Sequence, residues 1–527
     1  MSELVLILLL AVAAMAFMNW RLGLVLCVVT AILQDPLRKL TPGQPVYFVV
    51  LVGVVFGAAW LGALVNRVKL APNGIDGWRQ NIGTPFTLFV ILAIFQALHS
   101  LAVYQNPTMT AIGVLSYFAP VPAVVFAYQF AMREGMAGIR RWMKFYLAIA
   151  MIALCSVILE SSGASWRILG EVGEGVFISG QGEYYKGNSG IFRAAEIAAW
   201  HGATVACFAF IVFSGRRFSL PKLILVMALV VFLLYIGALT GRRKMIIEIT
   251  IFICAYFSLG IWFNSHKGKL AVLVALLGVV SYIGIVGWVA RGPGELVERS
   301  SQLEDAEGTG FGRYSARAGT VFEDLPIRLR TMGVRPIEWA IDSQGWLGGG
   351  LGIGSQGAQH FGAEGNGAAE SGLGKLTVEL GMPGLVLAFW LVLAMARHIW
   401  KLLGTLSHLS RAHANFAYGL VAFLIANAAT FSIATQAYAD IFILLSLGLS
   451  LGFLFAQLKL ASRQVKNPVE ARDYEPVNFI EPYEPKRHLA DEKDLDELWA
   501  IRVELDARLV KYQDRMKLKK VIAEESC

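Results

Sequence analysis

Long uninterrupted runs of apolar residues dominate the chain from Leu4 to Gln457. Most of them have the length of about 17–25 residues that an α-helix needs to cross the hydrocarbon core of a bilayer. A helix satisfies its own backbone hydrogen bonds, so such runs are stable in lipid. The pattern therefore predicts an all-α fold, a polytopic transmembrane helix bundle of about 12–14 spans. We expect spans near residues 3–18, 20–33, 45–66, 85–105, 110–131, 145–160, 190–214, 221–240, 245–263, 269–290, 376–397, 415–434 and 437–458.

The spans fall into two groups separated by a polar loop. Residues 1–290 hold spans 1–10, residues 291–375 form one long loop, and residues 376–458 hold spans 11–13. A tail, 459–527, follows. Its last part predicts an amphipathic helix, because apolar side chains recur at steps of three and four residues. That helix suits either the membrane surface and the protein's own loops or docking to a cytoplasmic partner.

Composition agrees with a membrane protein. Hydrophobic residues make up 56% of the 527 residues and charged residues 16%, whereas soluble proteins have about 45–50% and about 25%. The net charge of +8 is ordinary for a bacterial inner-membrane protein. Since no dense basic stripe with interleaved aromatic residues is present, we expect no nucleic-acid partner.

The cysteines and the first apolar run argue against a disulfide-stabilised protein, a zinc protein and a protein with a cleaved signal peptide. The five cysteines lie mostly inside apolar runs and predict neither a disulfide framework nor a zinc site. The first run lacks a basic region before it and is followed by more spans, so we expect no cleavable signal peptide. We expect no metal and no cofactor.

Basic residues in alternate loops predict the orientation of the bundle. Loops rich in lysine and arginine stay in the cytoplasm, and here they follow the fifth, seventh, ninth and eleventh predicted spans. The intervening loops Gln105–Thr110 and Ser432–Asp440 contain neither residue. The N-terminus is therefore expected outside, the loop 291–375 in the periplasm, and the C-terminal tail in the cytoplasm.

The turn Thr240–Lys244 contradicts this distribution of charge. It contains Arg242, Arg243 and Lys244, yet the orientation places it outside. Because the planar fork of arginine donates two hydrogen bonds to a phosphate, the turn suggests a phosphate or pyrophosphate site at the outer bilayer surface. The alternative is an orientation wrong by one span, with these residues acting as cytoplasmic anchors.

A second group of polar residues lies in the outer half of the span 190–214. Arg193 and Glu196 are three residues apart, so on a helix they share a face and pair. In one interpretation the pair holds two helices together. In the other, Arg193 faces the same anion as Arg243 and Glu196 orients it. His201 lies further into the span.

The long loop contains a third group. Beyond Arg291 and Arg299 at its start, it carries five arginines, a glycine-rich stretch Gly345–Gly354, and then His360 and Glu370. Glycines allow close backbone approach, but a flexible loop is an equal alternative, and no βαβ context supports a dinucleotide site. Glu370 suits either a solvated carboxylate or a catalytic role. The arginines are Arg313, Arg317, Arg328, Arg330 and Arg335.

Four short stretches resemble motifs of the O-antigen polymerase and O-antigen ligase-like integral membrane glycosyltransferases. They are Gly190–Ala195, Leu239–Arg243, Trp339–Gly352 and Ala369–Gly384. Arg243 stands at that family's motif arginine, and Arg242 stands where serine is common. The resemblance in architecture covers residues 85–455.

The resemblance implies a reaction as well as a fold. It implies a metal-independent polysaccharide polymerase that joins undecaprenyl-pyrophosphate-linked repeat units into an exopolysaccharide or O-antigen at the outer leaflet of the bacterial inner membrane. The pyrophosphate ligands expected on this basis are Arg193, Arg242, Arg243, Arg313, Arg317 and Arg335. The candidates for the base that accepts the acceptor's hydroxyl proton are Glu370, Glu196 and His360. The cytoplasmic tail helix suits a regulator of polymer chain length as its partner.

Two other functions stay open. The first is a ligase that transfers a finished lipid-linked glycan to another acceptor. Glu370 stands where such ligases usually have histidine, and Ser371 stands where they have asparagine, which weakens this alternative. The second, from a different class, is a flippase or transporter of lipid-linked sugars. A transporter predicts charged residues along a path through the middle of the membrane.

Overall fold

A computed structural model describes residues 2–71, 74–172, 176–177, 184–185, 187–213, 220–242, 244–264, 269, 272–273, 329–355 and 371–466. These belong to the first of two compact units, Met1–Asp473. Thirteen α-helices are described in these ranges. They are α1 Ser2–Met18, α2 Trp20–Leu40, α3 Leu51–Val65, α4 Gly83–Tyr104, α5 Pro107–Phe118, α6 Pro120–Ser161, α7 Ala195–Phe213, α8 Leu220–Thr240, α9 Lys244–Asn264, α10 Arg335–Gln344, α11 Gly372–Leu409, α12 Arg411–Ile433 and α13 Ile441–Lys466.

Shorter elements connect them. Two 3₁₀ turns lie at Val46–Val50 and Ala437–Ala439, and two π-helical turns lie at Trp78–Ile82 and Leu329–Val334. A pair of two-residue antiparallel strands, β1 Val176–Phe177 and β2 Tyr184–Tyr185, precedes α7.

The prediction of an all-α multi-span bundle is confirmed. Within the described residues, nine helical segments are long and apolar enough to cross a membrane, and two shorter apolar helices end at Met18 and Thr240. Large apolar side chains cover the outside of the bundle; Phe95 is 61% exposed and Phe389 is 70% exposed. Such a surface is compatible with lipid, since the helices satisfy their own backbone groups.

The fifth and sixth predicted spans are joined differently from the expectation. We expected a loop at 132–144, but α6 continues through this segment and breaks only at Gly135, which has φ +66°. Phe126 and Trp142, on either side of the break, both reach the first turns of α2. A straight helix would separate them by about 24 Å. The chain therefore reverses at one glycine and needs no loop.

Glycine also breaks α11. Gly381 has φ +68°, a left-handed conformation that favours glycine. Its α-carbon lies so close to the chain at Trp346 and Leu347 that a methyl group there would be 2.4 Å from backbone atoms of both. The N–H of Met382 donates to the carbonyl of Trp346 at 2.9 Å. The break thus creates the space that the glycine-rich stretch occupies.

The packing of α13 against α6 places this helix in the core of the bundle. Gly448 and Gly452 lie against the backbone of α6 at Pro120 and Val124, and small residues of this kind let membrane helices approach closely. On the same helix, Phe453 contacts the rings of both Phe130 and Trp142. The core therefore forms around α13 and α7, which are almost completely buried, and around the buried face of α6.

The two ends of the bundle differ in chemistry. At one end, Arg21 pairs with Glu134 at 2.8 Å, and Arg463 donates to the carbonyl of Met132. This end collects the start of α2, the break of α6 and the last turns of α13. The last turn of α2 and the starts of α7, α9 and α13 lie at the opposite end. Most of the charged side chains at that end are buried.

Candidate functional site

A buried group of charged residues occupies that opposite end, and we call it the charge cluster. It brings together helix ends that are far apart in sequence, from α2, α6, α7, α13 and the turn between α8 and α9. Burying charges is costly unless they are paired, and here each cation lies against carboxylates or carbonyl oxygens. The members are Asp35, Lys39, Glu160, Glu171, Arg193, Glu196, Arg242 and Asp440.

Arg193 is held between two aspartates. Its Nη1 lies 3.2 Å from Oδ1 of Asp35 on α2, and its Nη2 lies 2.7 Å from Oδ2 of Asp440 before α13. Burial opposes the charged guanidinium, but the two carboxylates outweigh burial and raise the pKa of Arg193 above its ordinary value. Because two carboxylates balance its charge, this geometry favours the interpretation in which Arg193 holds helices together.

The expected partner of Arg193 is wrong. Arg193 precedes the first residue of α7, Ala195, so it does not share a helical face with Glu196. Glu196 instead pairs with Arg242, at 3.0 Å between Oε1 and Nη1. The i,i+3 argument requires both residues to be helical, and the helix begins too late.

The segment 187–194, before α7, is held in place by side chains of other helices that form hydrogen bonds with its backbone. Glu160 accepts hydrogen bonds from the N–H groups of Ser189 and Gly190, at 2.8 and 2.6 Å. The ammonium of Lys39 donates to the carbonyls of Gly190 and Phe192, at 2.9 and 2.6 Å. Gly190 has φ +59°, and a Cβ there would lie 2.2 Å from Oγ of Ser156. A larger residue would not fit this segment.

The same segment meets the turn that ends α8. The side-chain amide of Asn188 donates to the carbonyl of Leu239 at 2.8 Å, and Gly187 packs against the backbone of Thr240. Two of the four family-like stretches, 190–195 and 239–243, therefore lie side by side.

Arg242 has carboxylates on two sides but is only partly satisfied. Its Nη2 lies 3.6 Å from Oε1 of Glu171, too far for a hydrogen bond. Its Nε and Nη2 are buried and make no hydrogen bond to any described residue, and neither does Oε1 of Glu196 despite the close ion pair. Burial raises the pKa of the Glu171 carboxyl, against the N–H of Ala195 and the charge of Arg242, which favour the ionised form. Among the cluster's described cations, Arg242 is the one with buried hydrogen-bonding capacity to spare.

A small cavity lies next to Arg242. It is walled by the starts of α7 and α9, the end of α12 and the turn Ala437–Ala439, and Glu196, Lys244 and Tyr438 line it. Glu248, 1% exposed, lies one turn deeper on α9 and accepts from Nδ2 of Asn427 at 3.1 Å.

Asn427 organises the wall around Glu248. Its Oδ1 accepts from the indole N–H of Trp200 at 2.8 Å and from the hydroxyl of Tyr438 at 3.1 Å. Lys244 donates to the side-chain oxygen of Gln436. Three helices and the connecting turn are thus tied together by side-chain hydrogen bonds around the cavity.

The glycine-rich stretch is built into the bundle. The carboxylate of Glu379 accepts from the N–H groups of Gly352 and Gly354, at 3.2 and 3.1 Å, and from the hydroxyl of Tyr117 at 2.6 Å. Ser100 on α4 donates to the carbonyl of Leu351 at 2.8 Å, and Leu351 is fully buried. Residues 345–355 are therefore not a flexible loop. The stretch 339–352 and the described part of the fourth family-like stretch, 371–384, meet here.

Phe431 links the two pairs of stretches. Its ring lies against Gly372, where a Cβ would be 2.3 Å from the ring, and its centroid is 5.4 Å from that of Tyr438 at the cavity. Ser371, just before Gly372, is buried and caps α11 by accepting from the N–H of Gly374. The start of α11 is thus one aromatic ring away from the cavity beside Arg242.

The predicted site residues have different outcomes. Glu196 and Arg242 lie together, and Arg193 lies beside them in its own ion pairs. Arg335 is exposed at the start of α10, and no contact of the described residues joins it to the cluster. His201 is buried, bonded to the hydroxyl of Tyr146 at 2.8 Å and stacked on Phe192. The other predicted residues, Arg243, Arg313, Arg317, His360 and Glu370, lie outside the described residues, as does the tail helix.

Sequence reasoning missed Asp35, Asp440, Glu171 and Glu248. Asp35 was missed because the second span was ended at residue 33, whereas α2 continues to Leu40. Asp440 was counted as a loop residue. Glu248 lay inside a predicted span, and a carboxylate at such a position is itself a signal of function. Comparison with known proteins assigns no family, since no family model matches the chain and no curated protein matches it.

Proposed function

We propose that this protein polymerises undecaprenyl-pyrophosphate-linked oligosaccharide repeat units at the outer leaflet of the bacterial inner membrane. The observation that carries the proposal is Arg242. It is a buried arginine with unsatisfied donors, at the end of the bundle away from Arg21 and Arg463, and it lies beside Glu196. The predicted orientation makes that end extracytoplasmic.

The arrangement suits phosphate chemistry. A sugar on a lipid pyrophosphate already carries a good leaving group, so the protein has to stabilise the charge that develops on the pyrophosphate. The free Nε and Nη2 of Arg242 offer the paired donors that phosphate oxygens prefer. A pyrophosphate bound there competes with Glu196 for the guanidinium and loosens that ion pair.

When the ion pair between Arg242 and Glu196 is loosened, the carboxylate of Glu196 becomes available as a base. The acceptor hydroxyl attacks the anomeric carbon, and the bond from that carbon to the phosphate oxygen breaks with its electron pair leaving on the pyrophosphate. The hydroxyl proton passes to a carboxylate. Glu196 is the candidate among the described residues, and Glu370 and His360 remain predictions. Positioning of the acceptor supplies much of the remaining rate.

The distribution of charge favours surface chemistry over transport. In the described helices, the buried carboxylates Asp35, Glu196, Glu248 and Glu379 lie within about two turns of a helix end or of the break at Gly381. A path for a charged substrate would need such groups near the middle of the spans.

The test uses purified protein in lipid with a lipid-linked oligosaccharide as sole substrate. Wild type should form polymer, and Arg242→Ala should lower the rate by about 100-fold or more, the usual loss when a charge-stabilising donor is removed. Arg21→Ala, at the other end of the bundle, is the matched control and should keep the wild-type rate. Polymer at the wild-type rate from Arg242→Ala would reject the role of Arg242.

Deletion of the gene separates polymerase from ligase. Cells without the protein should accumulate single lipid-linked repeat units if it is the polymerase. Accumulation of long unattached chains would instead identify a ligase. Single repeat units that remain on the cytoplasmic side would indicate a flippase.

A further inference from the structure

The cavity beside Arg242 has the size of one water molecule. Its free volume is about 10 Å³, close to the minimum that holds a water. Ala199 and Met245 form apolar parts of its wall, and Thr430 contributes from α12. A sugar or a phosphate does not fit in this space, so the pyrophosphate of the proposed reaction would bind the guanidinium of Arg242 outside the cavity.

Polar atoms without partners surround the cavity. Oε1 of Glu196 and both Nε and Nη2 of Arg242 are buried without a hydrogen bond, and both residues line the cavity. Buried donors and acceptors in proteins are almost always satisfied, by protein groups or by ordered water. The two donors belong to Arg242 and the acceptor to Glu196, whose Oε1 also lies 3.0 Å from Nη1 of Arg242, and both residues line this small space.

A neutral ligand fits these neighbours better than an ion. An anion would face the carboxylates of Glu196 and Glu248, and a cation would face Arg242 and Lys244. Water both donates and accepts, and a buried water typically makes about three hydrogen bonds.

We propose that the cavity binds one water molecule that connects Arg242, Glu196 and Glu248. Through this water Glu248 acts as a positioning residue for Glu196, holding its carboxylate in place when the pyrophosphate draws Arg242 away. The catalytic consequence rests on the proposed function, whereas the water site does not.

Glu248 is one of several ionisable groups that face Glu196, so its effect is on the pH dependence of the reaction. The others come from the segment before α7, from the turn after α8, from α9 and from the turn before α13. They are Glu171, Arg242, Lys244 and Tyr438.

The functional test is the pH profile of polymer formation by the full-length protein in lipid. Glu248→Gln changes the hydrogen bonds that this side chain offers to the water, so it should move the acidic limb of the kcat profile, because hydrogen bonding to a carboxylate shifts its pKa, and leave KM within about twofold. Glu248→Asp should restore part of the profile. Glu338→Gln, at an exposed position on α10, is the matched control. A wild-type profile from Glu248→Gln would overturn the positioning role.

The water site has its own test. A high-resolution electron cryo-microscopy map of the wild-type protein should show density for one water within hydrogen-bond distance of Arg242 and Glu196, and Glu248→Gln should shift or remove it. An empty cavity would overturn the water site. If the wild type forms no polymer at any pH, the proposed function fails, and the map still decides whether the water is bound.

Discussion

Arg193 and Arg242 have similar surroundings but differ in the number of guanidinium donors that remain without a hydrogen bond. Both are largely buried near the start of α7, and both contact two carboxylates. Arg193 uses its guanidinium to join α2 and α13, while Arg242 keeps Nε and Nη2 unbonded. Sequence spacing does not distinguish these cases, because the partners are about 50 to 250 residues away or lie before the helix. At the residue scale, the unpaired donors support the proposal that Arg242, and not Arg193, binds the ligand.

Removing Arg193 should destabilise the protein strongly. Arg193→Ala leaves Asp35 and Asp440 buried without their cation, and breaking a buried pair in this way costs about 3–5 kcal/mol. Thermal unfolding of the purified protein in detergent should show a clearly lower midpoint. Arg21→Ala removes an ion pair whose arginine is half exposed and should change the midpoint little. Equal midpoints for the two variants would contradict the role given to Arg193.

Glu171 should make stability fall as pH rises. Its folded-state pKa is raised, so between the ordinary glutamate pKa and the raised one the folded state binds more protons than the unfolded state, and stability decreases with pH. Its contribution is therefore fully present below the ordinary pKa and lost through the raised value. Glu171→Gln should flatten this part of a plot of unfolding midpoint against pH.

The control for Glu171 is a carboxylate outside the cluster. Glu338 is exposed on α10, so Glu338→Gln should keep the wild-type slope. An unchanged slope in Glu171→Gln would show that the carboxylate ionises equally easily in the folded and unfolded protein.

At the scale of elements, single glycines set the connections between helices. Gly135 turns what the sequence presents as two spans and a loop into one broken helix, and Gly381 opens α11 for the glycine-rich stretch. Apolar periodicity does not predict such breaks, because a glycine inside an apolar run is also common in unbroken membrane helices. The break becomes visible only through φ and through the chain that packs against it.

Replacing Gly135 and Gly381 with alanine should separate the cost of backbone strain from the cost of steric overlap with neighbouring atoms. Both glycines have φ near +67°, which costs alanine about 1–2 kcal/mol. A Cβ at Gly135 meets nothing within 4 Å, whereas one at Gly381 would lie 2.4 Å from the backbone at 346–347. Gly381→Ala should therefore lower the unfolding midpoint more than Gly135→Ala does. The reverse order would contradict the close packing of the glycine-rich stretch.

At the scale of the whole molecule, the bundle of described helices has exposed basic side chains at one end and the buried side chains of the charge cluster at the other. The positive-inside rule predicts that the first end faces the cytoplasm. The contacts among α2, α7, α9 and α13 place the charge cluster at the other. This polarity links the structure to the proposed reaction, because a lipid-linked donor would be consumed at the face that the cluster occupies.

Labelling from outside the cell should establish that polarity. Gln44 and Arg67 flank α3 at its two ends, and both are exposed with positive φ, so they form a matched pair. In a version without native cysteines, Gln44→Cys should react with a membrane-impermeant maleimide from outside, and Arg67→Cys should react only after lysis. The opposite result would place the cluster in the cytoplasm and reject an outer-leaflet reaction.

Much of the fold, but little of the site, could be predicted. Hydrophobic run length located most spans within a few residues, for instance 415–434 against α12 Arg411–Ile433. Of the predicted site residues that the structure describes, Glu196 and Arg242 lie together. The spacing had instead indicated Arg193 as the partner of Glu196. The carboxylates that hold the arginines were missed because helix ends extend beyond the apolar runs.

The sequence by itself determined that the chain folds as membrane-spanning helices, since apolar length and backbone satisfaction are local properties. It also indicated a basic turn, Thr240–Lys244, at an unexpected end. Only the tertiary structure decided which cation is neutralised and which retains free donors. Pairing of buried charges depends on side chains from α2, α7 and α13 that meet only when the bundle has closed.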